Sequence, residues 1–354
     1  MYETGFLFGT SEDNLVERDD LKADGSNDSS GSFSVTIGSL NANQTYYYKA
    51  YIREWNAQTH NYDFRYDTGG IKSFTTRAES DYVPTGWLEL PNVPASTGSM
   101  LTRTHWASMG GVTQRNYTFL YDPSTYASLW VAYPLCAAHM GSGSGSSWQK
   151  DPDVSGNLQT DVSGGYGVSI ATPNYPNNVY ARGHQIPNAD RNGVSAMNSQ
   201  TYYSTNCTPQ IQDGFNGGIW KNLEEKIRTL IPSGDTLYII TGAAFVDHKD
   251  GGSETTTYIT NSNDGKQIPV PNYYWKAILK VKRNCSSITS SKAIGFWFNH
   301  EDKKGQQYAN YAISVNELQQ RCGFNLFANL PGDNESGIEQ TAEANTDWSA
   351  FQSF

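Results

Sequence analysis

The sequence predicts an α+β protein, in which an all-β segment is followed by a mixed segment of strands and a few helices. In the first segment, residues 33–37 alternate apolar and polar side chains with period two, which is typical of a half-buried strand. In the second, short apolar runs predict core strands over residues 129–133, 236–241, 275–281 and 293–298. Helices are expected over residues 216–230, where apolar side chains recur at spacings of three and four, and over residues 315–321.

These patterns divide the chain into three parts. The stretch from Leu40 to Ile52 and the closing Ser73-Phe74-Thr75-Thr76 resemble a fibronectin type III or immunoglobulin-like sandwich, expected over residues 1–77. Fewer strands are predicted there than the roughly seven of a full sandwich, so the chain is expected to begin inside a partial domain. Residues 78–95 are rich in Pro and Gly and predict a linker, and residues 96–354 form the second domain with an acidic C-terminal tail.

Composition limits the class of protein. With 37% hydrophobic and 17% charged residues, the chain is not of a disordered type, and no run of 18 apolar residues predicts a membrane span. The four cysteines, Cys136, Cys207, Cys285 and Cys322, form no Cys-x-x-Cys pair, so a structural zinc site is not expected. Their even number allows disulfides in an oxidising compartment, and four buried thiols are the alternative. We expect export, with at least one disulfide.

The net charge is −10, which argues against a protein that binds nucleic acid through a global positive field. The acidic excess lies at the two ends, however. Residues 1–77 carry a net charge of −4 and residues 332–354 carry −5, so the region between them is nearly neutral. A nucleic-acid site in that region would depend on a metal ion and on local Arg or Lys side chains.

Three motifs carry residues suited to phosphate chemistry: Arg182-Gly183-His184-Gln185-Ile186-Pro187, Thr205-Asn206-Cys207-Thr208-Pro209-Gln210 and the stretch from Asn216 to Glu224. Gly183 lets the backbone approach a phosphate, and Arg182 offers a guanidinium fork for its oxygens. Asn216 and Glu224 are expected on one side of a helix, where an amide and one acid suit a hydrated Mg²⁺. Arg228 can pair with Glu224 or with phosphate. Each feature alone is typical of an ordinary surface loop, cap or salt bridge, so the combination is what points to a site.

In their order and spacing these motifs resemble the DNA/RNA non-specific endonucleases, relatives of endonuclease G, over about residues 100–331. The resemblance implies a ββα-metal core in an α+β domain with central antiparallel sheets, and Mg²⁺-dependent hydrolysis of DNA and RNA, with Mn²⁺ as a substitute. It also implies the roles of the site residues: His184 as general base, Asn216 as the sole direct protein ligand of the ion, Glu224 as the acid that holds its waters, Arg182 and Arg228 near the scissile phosphate, and Asn206 as support.

Two departures from the family pattern bear on activity. Ala181 stands where an Asp usually precedes Arg-Gly-His, and Ser146-Ser147 stand where an Arg is often found before the Trp148-x-x-Asp-Pro phrase. Lys150 is the candidate substitute for that Arg as a substrate-binding point charge. Activity is also expected to fall at acidic pH, because a protonated His184 cannot accept a proton.

Two other functions are compatible with the sequence. One is a catalytically weak or inactive nucleic-acid-binding or surface-interaction protein on the same fold, which the acidic balance, Ala181 and the N-terminal module favour. The other is a glycan-acting enzyme, for which the aromatic content speaks, although no convincing carboxylate pair is present. The expected location is secreted, periplasmic or cell-surface, and the oligomeric state stays open.

Overall fold

The computed structural model describes residues 2–23, 35, 37, 44–75, 87–92, 99–143, 145–231, 235–284, 287–330 and 345–354. The chain divides into two compact units, Met1–Tyr82 and Val83–Phe354. In the described part of the chain, no helix combines the length and the apolar character that crossing a membrane requires.

The described residues of the first unit form one antiparallel sheet. Its strands are β1 (Tyr2–Gly9), β2 (Val16–Ala23), β3 (Thr45–Asn56), β4 (Asn61–Tyr66) and β5 (Lys72–Thr75), in the order β2-β1-β3-β4 with β5 also paired to β3. Phe8, Leu21 and Tyr46 form its small core, against which Val35 and Ile37 pack. The other residues of the predicted strand 33–37 lie outside the described residues, and the described strands belong to one sheet rather than to the two of a sandwich.

The second unit contains twelve strands and four helices among its described residues. In chain order these are β6 (Leu101–Met109), β7 (Val112–Asp122), β8 (Ala127–Cys136), β9 (Ser169–Thr172), β10 (Tyr175–His184), α1 (Ser195–Gln200), β11 (Cys207–Ile211), α2 (Lys221–Arg228), β12 (Thr236–Ala244), β13 (Thr257–Thr260), β14 (Gln267–Val270), β15 (Tyr273–Asn284), β16 (Ser287–Asn299), β17 (Ala312–Ile313), α3 (Val315–Cys322) and α4 (Trp348–Gln352). The four predicted core strands correspond to β8, β12, β15 and β16, and the second predicted helix corresponds to α3.

Seven of these strands form the central antiparallel sheet, in the order β17-β16-β15-β12-β8-β7-β6. Alternate residues of β8 enter two different hydrophobic cores, with Val131 and Tyr133 in one and Trp130 and Ala132 in the other. This alternation is the period-two rule for strands, so the sheet is covered on both faces. One core includes the buried face of α2, and the other includes that of α3.

Residues 87–92, which composition placed in the predicted linker, include side chains that the second unit buries. Leu88 and Leu90 belong to the same core as α3. Glu89, also buried, accepts a hydrogen bond from Arg115 Nε at 2.8 Å. The Pro and Gly content of the predicted linker therefore did not indicate that part of it is buried. Leu88 and Leu90 anchor this stretch in the core.

A ββα arrangement lies on the face of the central sheet that presents Val131 and Tyr133. Strands β10 and β11 pair antiparallel, with Gly183 opposite Thr208 and His184 opposite Cys207. A π-helical segment, Gln212–Trp220, follows β11 and leads into α2. The helix predicted from residue 216 is therefore wrong at its start, because Gly214 (φ 85°) and Gly218 (ψ −112°) interrupt regular α-helix before Lys221.

The three cysteines that the structure describes, Cys136, Cys207 and Cys322, are free thiols. Cys207 is buried and its Sγ lies 3.2 Å from the hydroxyl of Tyr166. The predicted disulfide is therefore absent among these three, and Cys285 lies outside the described residues. Burial raises the pKa of the Cys207 and Cys322 thiols to about 12, which keeps both protonated and unreactive near neutral pH.

Candidate active site

His184 is the last residue of β10, and not a loop residue as predicted. Its ring packs against Trp148, with centroids 4.5 Å apart, and against Tyr202, with centroids 5.0 Å apart in an edge-on geometry. Trp148 and Tyr202 are held together because Gln149 N donates to Tyr202 O at 3.1 Å. The imidazole is therefore fixed by two aromatic side chains and by its position at the end of a paired strand.

The environment keeps His184 neutral. Burial, with a smaller contribution from the positive charge of Arg182, lowers the pKa of His184 to about 3. Its Nε2 is inaccessible to solvent and has no hydrogen-bond partner in the part of the chain that the structure describes. A neutral imidazole with an unsatisfied nitrogen is in the form that a proton acceptor requires.

The small residue before His184 is required by packing across the strand pair. A Cβ placed on Gly183 would lie 2.3 Å from Cδ of Gln210, a buried residue of β11. Asn206 holds the chain after His184, because its Oδ1 accepts from Ile186 N at 2.9 Å and its Nδ2 donates to Ile186 O at 3.0 Å. Asn206 is thus a supporting residue that does not itself need to contact substrate.

Arg182 lies two residues before His184 on β10 and shares a neighbour with it. Its guanidinium carbon lies 5.6 Å from the ring centroid of Trp148. Its Nη1 donates to the carbonyl oxygens of Val162 at 3.2 Å and Ser163 at 2.7 Å. These contacts engage Nη1, and the other N–H groups of the guanidinium could donate to a phosphate.

Asn216 lies in the π-helical segment, which contacts both β10 and β11. The side chain is half-buried, and its Nδ2 donates to Oε1 of Gln212 at 3.0 Å. That hydrogen bond fixes which end of the amide faces outward. The remaining carbonyl oxygen Oδ1 is the type of hard ligand that Mg²⁺ prefers.

Glu224 and Lys276 form a buried ion pair beside this segment. Lys276 Nζ lies 3.7 Å from Glu224 Oε1, and the Lys276 side chain is fully buried. The same Nζ donates to Thr241 Oγ1 at 3.1 Å and lies 3.5 Å from the carbonyl oxygen of Gln185, the residue after His184. Lys276 thereby connects Glu224 to the strand that carries His184.

Burial dominates the ionisation of this pair. It raises the pKa of Glu224 to about 7, against the opposing charge of Lys276, and it lowers the pKa of Lys276. A cation close to Glu224 would favour its charged form further. The amide oxygen of Asn216 and the half-buried carboxylate of Glu224, which gains from added positive charge, are each ligand types that suit a divalent cation.

Arg228 pairs with Asp190, and not with Glu224 as the spacing of four suggested. Arg228 Nη1 donates to Asp190 Oδ1 at 3.0 Å, and Tyr133 Oη donates to Asp190 Oδ2 at 2.9 Å. Asp190 is buried, so both of its oxygens are occupied by defined partners. The sequence motifs did not identify Asp190 as a site residue. The available signal was an acidic residue six positions after His184, in the segment that contains Pro187.

The motifs depart from the family pattern at Ala181 and at Ser146-Ser147, where Lys150 is the candidate substitute for the missing Arg. Lys150 is exposed, and its Nζ donates to the carbonyl oxygen of Gly156 at 3.1 Å. Ala181 pairs with Gln210 in the strand ladder and supplies no charge. The two arginine forks of the candidate site are those of Arg182, over the Trp148 ring, and Arg228, which donates to Asp190.

A second cluster of ionisable residues contacts the second motif through a hydrogen bond from Thr205 Oγ1 to Asp151 Oδ2. His105 is buried between two carboxylates, with Nε2 2.9 Å from Asp151 Oδ2 and Nδ1 3.0 Å from Asp153 Oδ2. Their ligand atoms lie close enough together to hold a metal ion. Both imidazole nitrogens are already engaged, however, and the carboxylates raise the pKa of His105 to about 9 against the effect of burial. We interpret the cluster as a protonated imidazolium that ties β6 to the loop after Trp148.

This imidazolium predicts a specific pH dependence of stability. The pKa of His105 rises from 6.5 to about 9 on folding, so its contribution is fully present below pH 6.5 and is lost as pH rises through 9. The shift corresponds to about 3 kcal/mol of unfolding free energy. Urea unfolding of the wild type from pH 6 to pH 10 should show this loss, and His105→Gln should be less stable at pH 6 without showing it. Equal pH slopes in the two proteins would refute the assignment.

The sequence model of the DNA/RNA non-specific endonuclease family matches residues 97–333. The chain belongs to that family. This match confirms the resemblance that the three motifs indicated for this DNA/RNA endonuclease. The α+β fold with a ββα arrangement is confirmed as well.

Curated relatives share this region at low identity. The nuclease of Serratia marcescens is 28% identical over 242 residues, 67% of this chain and 82% of that protein. The nuclease of a Nostoc species is 25% identical over 265 residues, 72% and 85% of the two chains. Mitochondrial endonuclease G of Homo sapiens is 25% identical over 167 residues, 47% and 53% of the two chains.

A solved structure supports the fold independently. The crystal structure described as the EndoG/EndoGI complex superposes with a TM-score of 0.50 at 18% identity, and the match covers 64% of this chain and 87% of that chain. At this identity the likeness bears on the fold of the endonuclease alone.

Proposed function

We propose that the endonuclease hydrolyses phosphodiester bonds in both DNA and RNA with a divalent cation, Mg²⁺ or Mn²⁺ in its place, as cofactor. The observation that carries this proposal is the neutral, half-buried His184 with an unsatisfied ring nitrogen on a strand that contacts the Asn216 segment. A positioned imidazole of this kind can take the proton of a water molecule as it attacks phosphorus.

The other residues divide into binding and support. We propose that Asn216 Oδ1 is the direct protein ligand of the ion and that Glu224, held by Lys276, orders the water around it. When bound, the cation would supply Lewis-acid stabilisation of negative charge on the phosphate and the leaving oxygen. Arg182 and Arg228 bind phosphate oxygens, Asn206 supports the strand end, and Lys150 adds a peripheral positive charge for the substrate.

The direct test is degradation of plasmid DNA and of RNA by the purified full chain with Mg²⁺. Cleavage of both substrates, abolished by EDTA and restored by added Mg²⁺ or Mn²⁺, is the expected result. Binding of nucleic acid without cleavage at any metal concentration would instead support the catalytically inactive protein, which Ala181 favours as the second candidate.

Asp190 is predicted to position Arg228 for its substrate. Asp190→Asn removes the charge that accepts from Arg228 Nη1, so kcat/KM should fall roughly tenfold, as expected when one contact to a phosphate loses its orientation. The Asp190→Asn effect should nearly disappear in an Arg228→Ala background, because the two residues act as one unit. Asp250→Asn, at an exposed site, is the matched control. Fully additive effects of Asp190→Asn and Arg228→Ala would contradict this role.

We also propose that the protein is exported to the periplasm, the cell surface or the medium. The support is the association of an all-β unit with a nuclease that would act on nucleic acid outside the cell. Fractionation of the native source, with a cytosolic marker enzyme as control, tests this location. Recovery of the protein with the cytosolic marker would refute export.

A further inference from the structure

A pocket of about 430 Å³ opens beside the strand that carries Arg182 and His184. Its walls are residues 165–169 on one side and residues 179–182 of β10 on the other. The three site motifs do not account for it, since their residues at His184, Asn216 and Glu224 do not line it. The pocket shares Arg182 with the site, and this shared residue places it next to the proposed phosphate position.

The other wall is a glycine loop that runs into a segment paired with β10, where Tyr180 N donates to Val168 O at 3.2 Å. Gly165 and Gly167 both have positive φ, 82° and 69°, which favours glycine, and a Cβ at Gly165 would meet nothing within 4 Å. The Tyr166 side chain is buried and its hydroxyl contacts Cys207 Sγ. Arg182 Nη1 closes one end of the loop through its hydrogen bonds to Val162 O and Ser163 O.

The chemistry of the walls suits a flat, partly apolar ligand. Val168 and Val179 are aliphatic, Tyr180 adds a half-buried aromatic ring, and the glycine loop adds backbone polar groups. The wall residues include no Asp or Glu, and their one charged side chain is Arg182. On a chain with a net charge of −10, this is a place where a ligand attached to a phosphate is not repelled.

The spacing along β10 connects the pocket to the reaction centre. At about 3.3 Å per residue, Ala181 and Val179 lie roughly 10 and 17 Å from His184 along the strand. The base of a nucleotide near the cleaved phosphate, but not necessarily the one bonded to it, can lie at that distance. Stacking of a nucleobase against aromatic and apolar side chains is worth about 1–3 kcal/mol, and it requires a base that is not paired within a duplex.

We propose that this pocket binds one unpaired nucleobase of the substrate strand, flanking the phosphate that lies between Arg182 and His184. The proposal rests on the proposed function for the position of that phosphate. It gives the enzyme a preference for single-stranded or locally unpaired DNA and RNA, without selecting the sugar. It also assigns Val179, whose side chain is 41% exposed, to the wall of a base-binding site.

The test is a binding measurement that does not depend on cleavage. The affinity of the full chain for a fluorescein-labelled, single-stranded oligothymidylate is compared in EDTA with its affinity for an abasic strand of the same length. The wild type should bind the strand with bases about tenfold more tightly, within the range for stacking of one base. Val179→Trp, which fills the pocket, should bind both strands with nearly equal affinity. Val112→Trp, at another exposed valine, should keep the wild-type difference.

The outcomes separate this proposal from the proposed function. If Val179→Trp keeps the full tenfold difference between the two strands, the pocket does not bind a base, whether or not the enzyme cleaves with Mg²⁺. If the difference is lost in Val179→Trp but retained in Val112→Trp, the pocket assignment holds even for an inactive chain. Affinity for a duplex of the same length should be unchanged by Val179→Trp, and a tenfold loss there would also overturn the proposal.

Discussion

His184→Ala is expected to reduce cleavage of both DNA and RNA by about 10²–10⁴-fold, the usual range for loss of a positioned acid–base group. The same imidazole serves both substrates, so the two losses should be similar. Because the ring packs against Trp148 and Tyr202, the change should also lower the unfolding free energy by ~1–2 kcal/mol. Initial rates on each substrate, together with urea unfolding, separate the catalytic loss from this smaller structural cost.

The pH dependence of activity that the structure predicts differs from the one expected from the sequence. With the pKa of His184 lowered to about 3, the imidazole stays neutral from about pH 5 to about pH 9, so its protonation should not limit activity in that range. A loss caused by this residue should appear only as pH falls toward 3. His248→Ala, at an exposed histidine, is the matched control. Retention of most activity by His184→Ala at every pH would refute its role as base.

Asn216→Ala is expected to have the second large effect, a loss of cleavage rate of about 10²–10³-fold at low Mg²⁺. The reason is that a bound cation stabilises the charge that develops in the transition state by several kcal/mol. This variant should fail differently from His184→Ala. High Mg²⁺ should recover part of its activity, because Glu224 and its partner Lys276 are still in place. Rates measured across a Mg²⁺ titration test the difference between the two variants.

The control for this variant lies on α2, the helix that follows the segment of Asn216. Asn222→Ala removes an exposed amide from α2 and should leave the Mg²⁺ dependence unchanged. If Asn216→Ala lowers the maximal rate without shifting the Mg²⁺ concentration needed for half of it, Asn216 is not a ligand of the ion.

Sequence patterns predicted the parts of the fold in which burial follows periodicity. The apolar runs at residues 129–133 and 275–281 lie in β8 and β15 because the central sheet is covered on both faces. Strand β2, with the sequence Val-Glu-Arg-Asp-Asp-Leu-Lys-Ala, does not show the period-two alternation of a half-buried strand. It pairs with β1 all the same, and its Leu21 is buried while its Glu17 lies 2.6 Å from Arg53. A charged strand with a single buried residue gives no hydrophobic periodicity to detect.

The site shows the same limit more sharply. The motifs predicted which residue types gather there, but their neighbours come from distant positions that only the fold brings together. Lys276 lies in a strand with the sequence Tyr-Trp-Lys-Ala-Ile-Leu, and its charge inside an apolar run was the available signal of a buried partner. The ion cluster of His105 with Asp151 joins residues 46 positions apart, and no spacing rule connects them.

The central claim is that the metal ion lies at Asn216, and anomalous scattering from a crystal soaked in Mn²⁺ tests it most directly. His105, Asp151 and Asp153 form a cluster whose ligand atoms could also hold an ion, so the soak distinguishes the Asn216 position from that cluster. The predicted result is one anomalous peak about 2.0–2.2 Å from Asn216 Oδ1, with water in the other coordination positions. A peak at the His105 cluster instead, or one more than about 4 Å from the Asn216 amide, would contradict the assignment.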